Sequence, residues 1–417
     1  MVGIEHSALK KQILYLANHS PFYKRMFEKN AISTDSIQSI EDLQKIPFTE
    51  KEDLQNFTSD FICVPKSKLI DFVTTSGTTG KPVTLALTDS DLERLALNEY
   101  NSFKTAGVKE EDIIQLMTTI DRRFMAGLAY FLGARKLGAG IIRVGNGLPE
   151  LQWDTIKEIK PTVIICVPSF ILKLIEFAEE NNIDFKKSSI KKAICIGESI
   201  RNADFSLNTL GEKITQKWNI QLHSTYASSE MATAFTECEM FQGGHLQSEL
   251  IIPEIVDDNG FPAKEGEAGE LVITTLGVEG MPLLRFKTGD ICIAYSEPCG
   301  CGLESLRLSP VLGRKKQMIK YKGTSLYPNT IYSILDENEL VKNYQVEVTN
   351  NSSGTDEIKI YIGINTDEMP LKTKLMDTFR AKLRVVPELV FLSPEKVTDL
   401  LLPDSSRKPL KFIDRRK

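Results

Sequence analysis

The stretch TTSGTTGKPV, residues 74–83, combines hydroxyl side chains with two glycines and one lysine. This composition suits a loop that holds phosphate. Glycine lets backbone N–H groups converge on an anion, hydroxyls donate further hydrogen bonds, and lysine supplies positive charge. The residues themselves leave a second interpretation open, which is a surface turn with a solvated lysine.

The spacing within this stretch excludes a Walker A loop. That motif needs four residues between its glycines and opens a helix. Here only Thr78 and Thr79 separate Gly77 from Gly80. The flanking segments LIDFVTT and VTLALT are both typical of strands, so we predict a loop that joins two strands.

A second group of residues has the chemistry of metal ligands. Two segments carry it, ECEMFQGGH and EPCGCG, and they supply Cys238, His245, Cys299 and Cys301. Four Cys/His ligands suit a closed tetrahedral zinc site, although the spacing is not that of a standard zinc finger. Free thiols are the alternative. The remaining cysteines lie in apolar runs and are expected to be ordinary buried thiols: Cys63, Cys166, Cys195 and Cys292.

The middle of the chain predicts the elements that position these residues. Between about residues 110 and 226, apolar runs typical of strands alternate with helical segments. The strand-like runs are DIIQLMTT, AGIIRV, PTVIICVP, KKAICIGES and IQLHSTY. One helical segment, SFILKLIEFAEENN, has Ile171, Leu174, Ile175 and Ala178 on one face. This alternation indicates a parallel sheet with helical crossovers, and such sheets bind ligands beyond the carboxyl ends of their strands.

The pattern changes after about residue 235. The segment DDNGFPAKEGEAGELVITTL has turn signals at Asn259–Gly260 and near Gly266 and Gly269, followed by a β-rich run, which predicts hairpins. From about residue 315 a strand-like run, EIKIYIGINT, precedes a helical one, PLKTKLMDTFRAKLRVVP. We therefore expect an α/β fold in which a large N-terminal domain of βαβ-type sheets carries a β-rich subdomain and precedes a small α+β domain.

Length and composition narrow the class of protein. The chain has 417 residues, which predicts more than one structural unit, and it is 41% hydrophobic and 26% charged, as in ordinary globular proteins. A net charge of -5 argues against a nucleic-acid partner. The N-terminus has the pattern of an amphipathic helix rather than a signal peptide, and no segment has the length of a membrane span. The expected location is the cytoplasm, with no membrane partner.

Ordered matches along most of the chain resemble the adenylate-forming enzymes, the acyl-CoA synthetase superfamily, and within it the phenylacetate–CoA ligases. The stretch TTSGTTGKPV resembles their phosphate loop, and HSPFYKRMFEKN and IEDLQKIPFTEKEDL resemble their N-terminal region. STYASSE (224–230) and PLLRFKTGDI (282–291) resemble two further family segments. VLGRKKQMIKYKGTSLYP resembles the hinge into the C-terminal domain, and SRKPLKFIDRR resembles the terminal segment with the catalytic lysine.

The resemblance implies a two-step reaction. A carboxylate attacks the α-phosphorus of MgATP to give an acyl-adenylate and pyrophosphate, and a thiol, usually that of coenzyme A, then attacks the activated carbonyl. It also implies a division into an N-terminal adenylate-forming domain, residues 1–314, and a mobile C-terminal lid, residues 315–417. A homodimer would be usual for the family. Some bacterial relatives carry a Cys/His arrangement similar to the one described above.

The resemblance also assigns roles to individual residues. In the family pattern, Glu230 and Lys408 are catalytic, with Glu230 as the Mg²⁺ ligand, and Lys316 is the hinge. The groups that would bind the phosphates of ATP are Ser76, Gly77, Thr78, Thr79, Gly80, Lys81 and Ser229. The groups that would bind adenine and ribose are Gly197, Glu198, Ser199, Tyr226, Asp290 and Arg314. The residues themselves leave non-functional interpretations open: a solvated surface carboxylate for Glu230 and a packing side chain for Tyr226.

Two departures from the family pattern concern the acid. Ala227 replaces a glycine and narrows the acyl pocket. Asp121, Arg122 and Arg123 replace an aromatic, glycine-rich opening, which argues against phenylacetate itself as the acid. An arginine there could pair with a second carboxylate of the substrate, or it could face solvent. The expected substrate is an aryl or other hydrophobic carboxylic acid.

Three functions are compatible with these residues. The first is a ligase that makes acyl-CoA, and the second is an adenylating enzyme that loads a carrier protein. The third is a non-catalytic relative that binds a nucleotide or an acyl-adenylate. Lys81, Glu230, Asp290 and Lys408 are all present, which favours the two catalytic functions.

The substitution Lys408→Ala separates the two half-reactions. The lysine is a mobile point charge that would bridge the carboxylate and the α-phosphate, and a family-type domain rotation would remove it for the second step. We expect adenylation to fall by several orders of magnitude, while thioester formation from supplied acyl-adenylate survives. An equal loss in both half-reactions would contradict the assignment, for which the nearby Lys411 and Lys417 are the alternatives.

Overall fold

The computed structural model describes residues 2–75, 82–322, 324–351, 355–365, 368–401 and 410–416. The chain divides into two units, Met1–Val311 and Leu312–Lys417. The boundary expected from the sequence falls after residue 314. Two sequence segments with assigned roles, residues 76–81 and residue 408, lie outside the described residues.

Helices and strands are distributed over both units. The helices are α1 Val2–His19, α2 Pro21–Lys29, α3 Lys51–Asn56, α4 Asp89–Thr105, α5 Met125–Leu137, α6 Pro149–Ile159, α7 Pro168–Glu180, α8 Thr209–Lys217, α9 Pro328–Asp336, α10 Glu368–Leu383 and α11 Pro394–Leu401. The strands of the first unit are β1 Asp71–Thr74, β2 Thr84–Leu87, β3 Ile113–Leu116, β4 Gly140–Arg143, β5 Val163–Cys166, β6 Lys192–Ile196, β7 Gln221–Ser228, β8 Thr233–Glu237, β9 Gly244–His245, β10 Ile251–Val256, β11 Gly269–Thr275, β12 Phe286–Cys292, β13 Ala294–Tyr295 and β14 Arg307–Leu308. The strands of the second unit are β15 Gly313–Arg314, β16 Ile319–Tyr321, β17 Thr324–Leu326, β18 Asn343–Asn350, β19 Asp356–Gly363, β20 Glu388–Leu392 and β21 Phe412–Asp414.

The main sheet of the first unit has the strand order β13-β14-β9-β8-β7-β6-β5-β3-β4. From β4 to β7 neighbouring strands are parallel, and α5, α6, α7 and α8 are the crossovers between them. From β7 to β13 the sheet continues with antiparallel pairs. The five strands and the parallel arrangement expected from the sequence are confirmed.

Burial explains why these strands form. All four residues of β5, Val163–Cys166, are fully buried, as expected for a central parallel strand that is covered on both faces. On α7 the residues expected on the buried face are fully buried: Ile171, Leu174, Ile175 and Ala178. These side chains pack with Trp153 and Trp218 in one cluster, which fixes the helical layer against the sheet.

Two smaller sheets of the first unit flank the expected functional residues. Strands β1 and β2 pair antiparallel, with Thr74 opposite Thr84, so residues 76–81 are joined to a strand on each side as expected. Strands β10, β11 and β12 form antiparallel pairs, which confirms the β-rich subdomain. Cys63, Cys166, Cys195 and Cys292 are buried and free, as expected.

The second unit is α+β, as expected. Strands β18 and β19 form an antiparallel pair, with β21 and β20 added in parallel at the two edges. One hydrophobic cluster, which includes Phe379 on α10 and Val346 on β18, fills this unit. Among the described residues of both units, no helix combines the length and apolarity that a membrane span requires.

Candidate active site

Parallel pairing brings two of the expected nucleotide-binding segments to one edge of the main sheet. Ile196, the last residue of β6, is in register with Thr225 on β7. The segment Gly197–Glu198–Ser199 leaves β6 beside Tyr226, and β7 runs on to Ser228, just before Ser229 and Glu230. This is the carboxyl edge of the strands, where open α/β sheets bind their ligands.

The segment after β6 is held by local hydrogen bonds. Gly197 has a φ of +76°, a left-handed conformation that glycine adopts without strain. The Glu198 carboxylate accepts hydrogen bonds from Ser169 N at 2.9 Å and from Ser169 Oγ at 3.0 Å, close to the N-terminus of α7. Ser199 Oγ donates to the carbonyl of Arg201 at 2.9 Å. The backbone of this segment is therefore fixed before any ligand binds.

Tyr226 connects the main sheet to the subdomain that carries Asp290. Its hydroxyl donates to Asp290 Oδ2 at 2.7 Å, and its ring stacks on Phe235 with centroids 6.2 Å apart. Burial and the adjacent Asp290 carboxylate raise the pKa of Tyr226 well above its usual value, so the hydroxyl keeps its proton at neutral pH. The structure thus brings Tyr226 and Asp290 together in the geometry of a donor and an acceptor.

Glu230 is not a solvated surface carboxylate. Its side chain is 11% exposed, and its Oε1 lies 3.3 Å from Lys51 Nζ on α3. Sequence reasoning did not single out Lys51, although it lies in IEDLQKIPFTEKEDL, one of the segments that carry the resemblance. This ion pair adds a cation to the edge of the sheet beside the expected Mg²⁺ ligand.

A buried arginine fixes the turn that follows Glu230. Arg94 on α4 donates to Ala232 O at 2.6 Å and to Thr233 Oγ1 at 2.9 Å. It also donates to the carbonyls of Leu250 and Leu276. A single arginine among the apolar positions of α4 was the signal in the sequence that could have identified it, because a buried guanidinium must find acceptors.

The segment that departs from the family pattern contacts the β1–β2 hairpin. Arg123 Nη2 donates to Thr84 Oγ1 at 2.6 Å, and the Arg123 carbonyl accepts from Thr74 N at 3.0 Å. The Arg122 side chain is 78% exposed and lies next to Asp121. Arg122 therefore faces solvent, while Arg123 braces the β1–β2 hairpin.

The other expected site residues lie in the second unit or outside the described residues. Arg314 lies on β15, and the Lys316 carbonyl accepts from Arg416 Nη2 at 3.1 Å. Lys411 is one alternative to Lys408. Its Nζ lies over the ring of Tyr344, 5.0 Å from the ring centroid, and this contact gives Lys411 a packing role. Residues 76–81, Lys408 and Lys417 lie outside the described residues, so their assignments stay predictions.

The four expected metal ligands converge. The ligand atoms of Cys238, His245, Cys299 and Cys301, which we call the Cys/His cluster, all lie within 4.8 Å of one another. The sulfurs of Cys238 and Cys299 are 3.6 Å apart, and Cys301 Sγ is 3.6 Å from His245 Nε2. A tetrahedral site with Zn–S bonds of about 2.3 Å has ligand separations of about 3.8 Å. The residues therefore fit a zinc ion.

The surroundings of His245 also suit a metal ligand. Its Nδ1 lies 2.7 Å from Ser305 Oγ, which leaves Nε2 directed at Cys301. Such a hydrogen bond orients a ligating imidazole. Burial lowers the pKa of His245 to about 4, which keeps the ring in the neutral form that a metal requires.

Comparisons with known proteins define the class. A family model described as AMP-binding enzyme matches residues 23–280. The phenylacetate-coenzyme A ligase of Thermus thermophilus is 31% identical over 352 residues, which cover 83% of this chain and 78% of that protein. The Escherichia coli enzyme of the same name is 28% identical over 381 residues, with coverages of 88% and 84%. The chain therefore belongs to the AMP-binding enzyme family.

Within that family the chain is phenylacetate–CoA ligase-like, and solved structures agree with its fold. A crystal structure of 2-hydroxyisobutyryl-CoA ligase in the postadenylation state, in complex with R3-HIB-AMP, matches with a TM-score of 0.83 at 20% identity, covering 98% of this chain and 88% of that one. The Bacillus subtilis O-succinylbenzoate coenzyme A synthetase, in complex with ATP and magnesium ion, matches with a TM-score of 0.59 at 19% identity, covering 77% and 66%. These likenesses confirm the α/β adenylate-forming fold.

Proposed function

We propose that this chain is an ATP-dependent acid–thiol ligase. A carboxylic acid attacks the α-phosphorus of ATP to give an acyl-adenylate and pyrophosphate, and the thiol of coenzyme A then attacks the acyl carbon and releases AMP. One observation carries the proposal: in a member of the AMP-binding enzyme family, residues 197–199 and Tyr226 lie at the carboxyl edge of the main sheet, where Tyr226 is bonded to Asp290 and β7 leads on to Glu230. The free cysteines are consistent with the reducing cytoplasm as its location.

The first half-reaction places negative charge at the α-phosphate, and the proposed roles supply opposing charge and hydrogen-bond donors. Residues 76–81 and Ser229 bind the phosphates, Glu230 ligates Mg²⁺, and Lys408 neutralises the attacking carboxylate. Tyr226 stacks on adenine beside residues 197–199. Asp290 accepts from the ribose hydroxyls, because a carboxylate takes two hydrogen bonds at once. Arg314 supports the ribose, and Lys316 is the pivot.

The proposed acid is an aryl or other hydrophobic carboxylate. The relatives named above act on phenylacetate, which supports an apolar acyl pocket. Ala227 adds a methyl group to that pocket compared with the family's glycine. Because Arg123 is already bonded to Thr84 and Phe72, a second carboxylate on the substrate would have to displace it.

The experiment that tests this function is ATP–pyrophosphate exchange across a panel of carboxylic acids. Hydrophobic monocarboxylates, hydroxylated analogues and dicarboxylates are compared at equal concentration. The active acid is then supplied with coenzyme A or with a carrier protein. We expect exchange with at least one aryl or hydrophobic monocarboxylate and thioester formation with coenzyme A.

Two outcomes would change the proposal. Exchange followed by transfer only to the carrier protein would assign the loading function instead. Exchange with none of the acids, by protein that binds ATP, would favour the non-catalytic relative.

We propose that the Cys/His cluster holds a structural zinc ion. With four protein ligands the site is closed, so it would join the turn at 299–301 to residues 238–245 and take no part in the chemistry. The ion, when bound, supplies a cross-link between these two segments.

Metal analysis tests the zinc proposal. Protein purified without chelators is expected to contain about one mole of zinc per mole of chain. The variant His245→Ala is expected to lose most of it, because three ligands hold zinc less tightly than four. A zinc content below about one-tenth mole per chain in the parent protein would remove the proposal.

The Lys51–Glu230 ion pair predicts a change in the Mg²⁺ dependence. The ammonium and Mg²⁺ compete for the same carboxylate, so Lys51→Met is expected to lower the half-saturating Mg²⁺ concentration in the exchange assay. Since both side chains are partly exposed, the pair is worth about 0.5–1 kcal/mol, which corresponds to about a two- to fivefold shift.

The matched control is Lys45→Met, which breaks the exposed Lys45–Asp42 pair. The Mg²⁺ dependence of this control is expected to equal that of the parent. If Lys51→Met left the half-saturating concentration unchanged, Glu230 would not be the carboxylate that binds the ion.

A further inference from the structure

Glu237 lies between the Cys/His cluster and the segments assigned to adenine. We propose that the cluster, acting through the Glu237–Arg201 ion pair, sets the position of residues 197–199 and Tyr226, so that metal bound in the cluster strengthens nucleotide binding. This inference rests on the proposed function, which assigns those residues to the adenine pocket. It makes Glu237 and Arg201 positioning residues.

Glu237 directly precedes Cys238 in the chain, and its carboxylate is hydrogen-bonded to Arg201 and to strand β7. Its side chain is 2% exposed, and both of its oxygens accept from Arg201 Nε, at 2.8 and 2.9 Å. Oε2 also accepts from Ser224 N at 2.9 Å. Ser224 lies two residues before Tyr226 on β7, so Glu237 holds the strand that positions the tyrosine.

Arg201 holds the other wall of the expected pocket. Its carbonyl accepts from Ser199 Oγ at 2.9 Å, so the arginine is bonded directly to the 197–199 segment. Its Nη2 donates to Leu222 O on β7 at 3.1 Å. The guanidinium therefore joins this segment, β7 and Glu237 in one buried network, and such networks behave as units.

The chain between the metal ligands is packed against the same network. The Arg201 guanidinium lies over the Phe241 ring at 4.8 Å, and Phe241 N donates to Cys238 O at 3.2 Å. At Gly244, next to His245, an added Cβ would lie 2.6 Å from Phe235 O on β8. A shift of Cys238 or His245 would therefore be passed to Arg201 and β8 through these close contacts.

Loss of the metal removes the cross-link that fixes Cys238 to the 299–301 turn. Glu237 directly precedes Cys238 in the chain, so the position of its carboxylate is less restrained when Cys238 is no longer cross-linked. Arg201 and Ser224 are then held less firmly, and a nucleotide must restore their order when it binds. That ordering costs free energy and appears as weaker binding.

The experiment compares zinc-loaded and zinc-depleted protein with AMP as the probe, because AMP needs no Mg²⁺ that a chelator would remove. AMP affinity is measured by calorimetry. We expect zinc depletion to weaken AMP binding about fivefold or more, a size typical of coupling between two sites, and zinc addition to restore it. Hydrogen exchange should also rise at residues 197–201 and 224–228, not only at 238–245 and 299–305.

A variant tests whether the coupling passes through Glu237. Zinc-loaded Glu237→Gln is expected to bind AMP about as weakly as the zinc-depleted parent, and zinc depletion should have little further effect on it, because interacting changes are not additive. The control is Glu254→Gln, which breaks the buried Arg285–Glu254 pair, with 2.8 Å between Arg285 Nη2 and Glu254 Oε1. In this control the full effect of zinc on AMP affinity should remain.

The remaining outcomes distinguish a failure of this inference from a failure of the proposed function. Equal AMP affinity with and without zinc, with exchange changes confined to 238–245 and 299–305, would overturn the inference and leave the proposed function intact. A parent that takes up zinc but does not bind AMP would overturn the proposed function as well. If Glu237→Gln does not fold, the affinity and exchange measurements on the parent decide the inference alone.

Discussion

The in-register parallel pairing of β6 with β7 is the constraint on which the rest of the structure depends. β6 is apolar and buried except at Lys192, and Leu222, His223 and Thr225 of β7 are buried, so the core sets the register of the two strands. Their common direction forces residues 197–199 and the end of β7 to the same edge. The tyrosine hydroxyl then reaches Asp290 on β12 of the other sheet, and this bond joins the β-rich subdomain to the site.

Arginines that donate to backbone carbonyls hold the turns around this edge. Arg94 bonds to the turn after Glu230, Arg123 to the β1–β2 hairpin, and Arg201 to β7. Arg94 and Arg201 are buried, and a guanidinium that is removed from water needs acceptors for its five N–H groups, so each of these two arginines fixes several backbone positions at once. The turns that we propose to bind the nucleotide are therefore ordered by the protein itself, which would lower the entropic cost of nucleotide binding.

The sequence predicted the parts of the molecule that depend on local pattern. The five parallel strands, the buried face of α7 and the strands on both sides of residues 76–81 follow from periodicity. The convergence of Cys238, His245, Cys299 and Cys301 was predictable because cysteine and histidine are rare and chemically distinct. The antiparallel continuation of the main sheet through β8, β9 and β14, and the pairs Lys51–Glu230 and Arg201–Glu237, were not predictable. They join residues far apart in the chain, and a charged residue in a sequence does not identify its partner.

The account depends on the carboxylate attacking the α-phosphorus, and oxygen labelling tests this step most directly. The active acid is labelled with ¹⁸O in its carboxyl group and converted to the thioester with ATP and coenzyme A. Because the bridging oxygen of the adenylate stays on phosphorus when the thiol attacks carbon, the account predicts one ¹⁸O atom in each AMP and none in pyrophosphate. Label in inorganic phosphate or pyrophosphate, with unlabelled AMP, would contradict it.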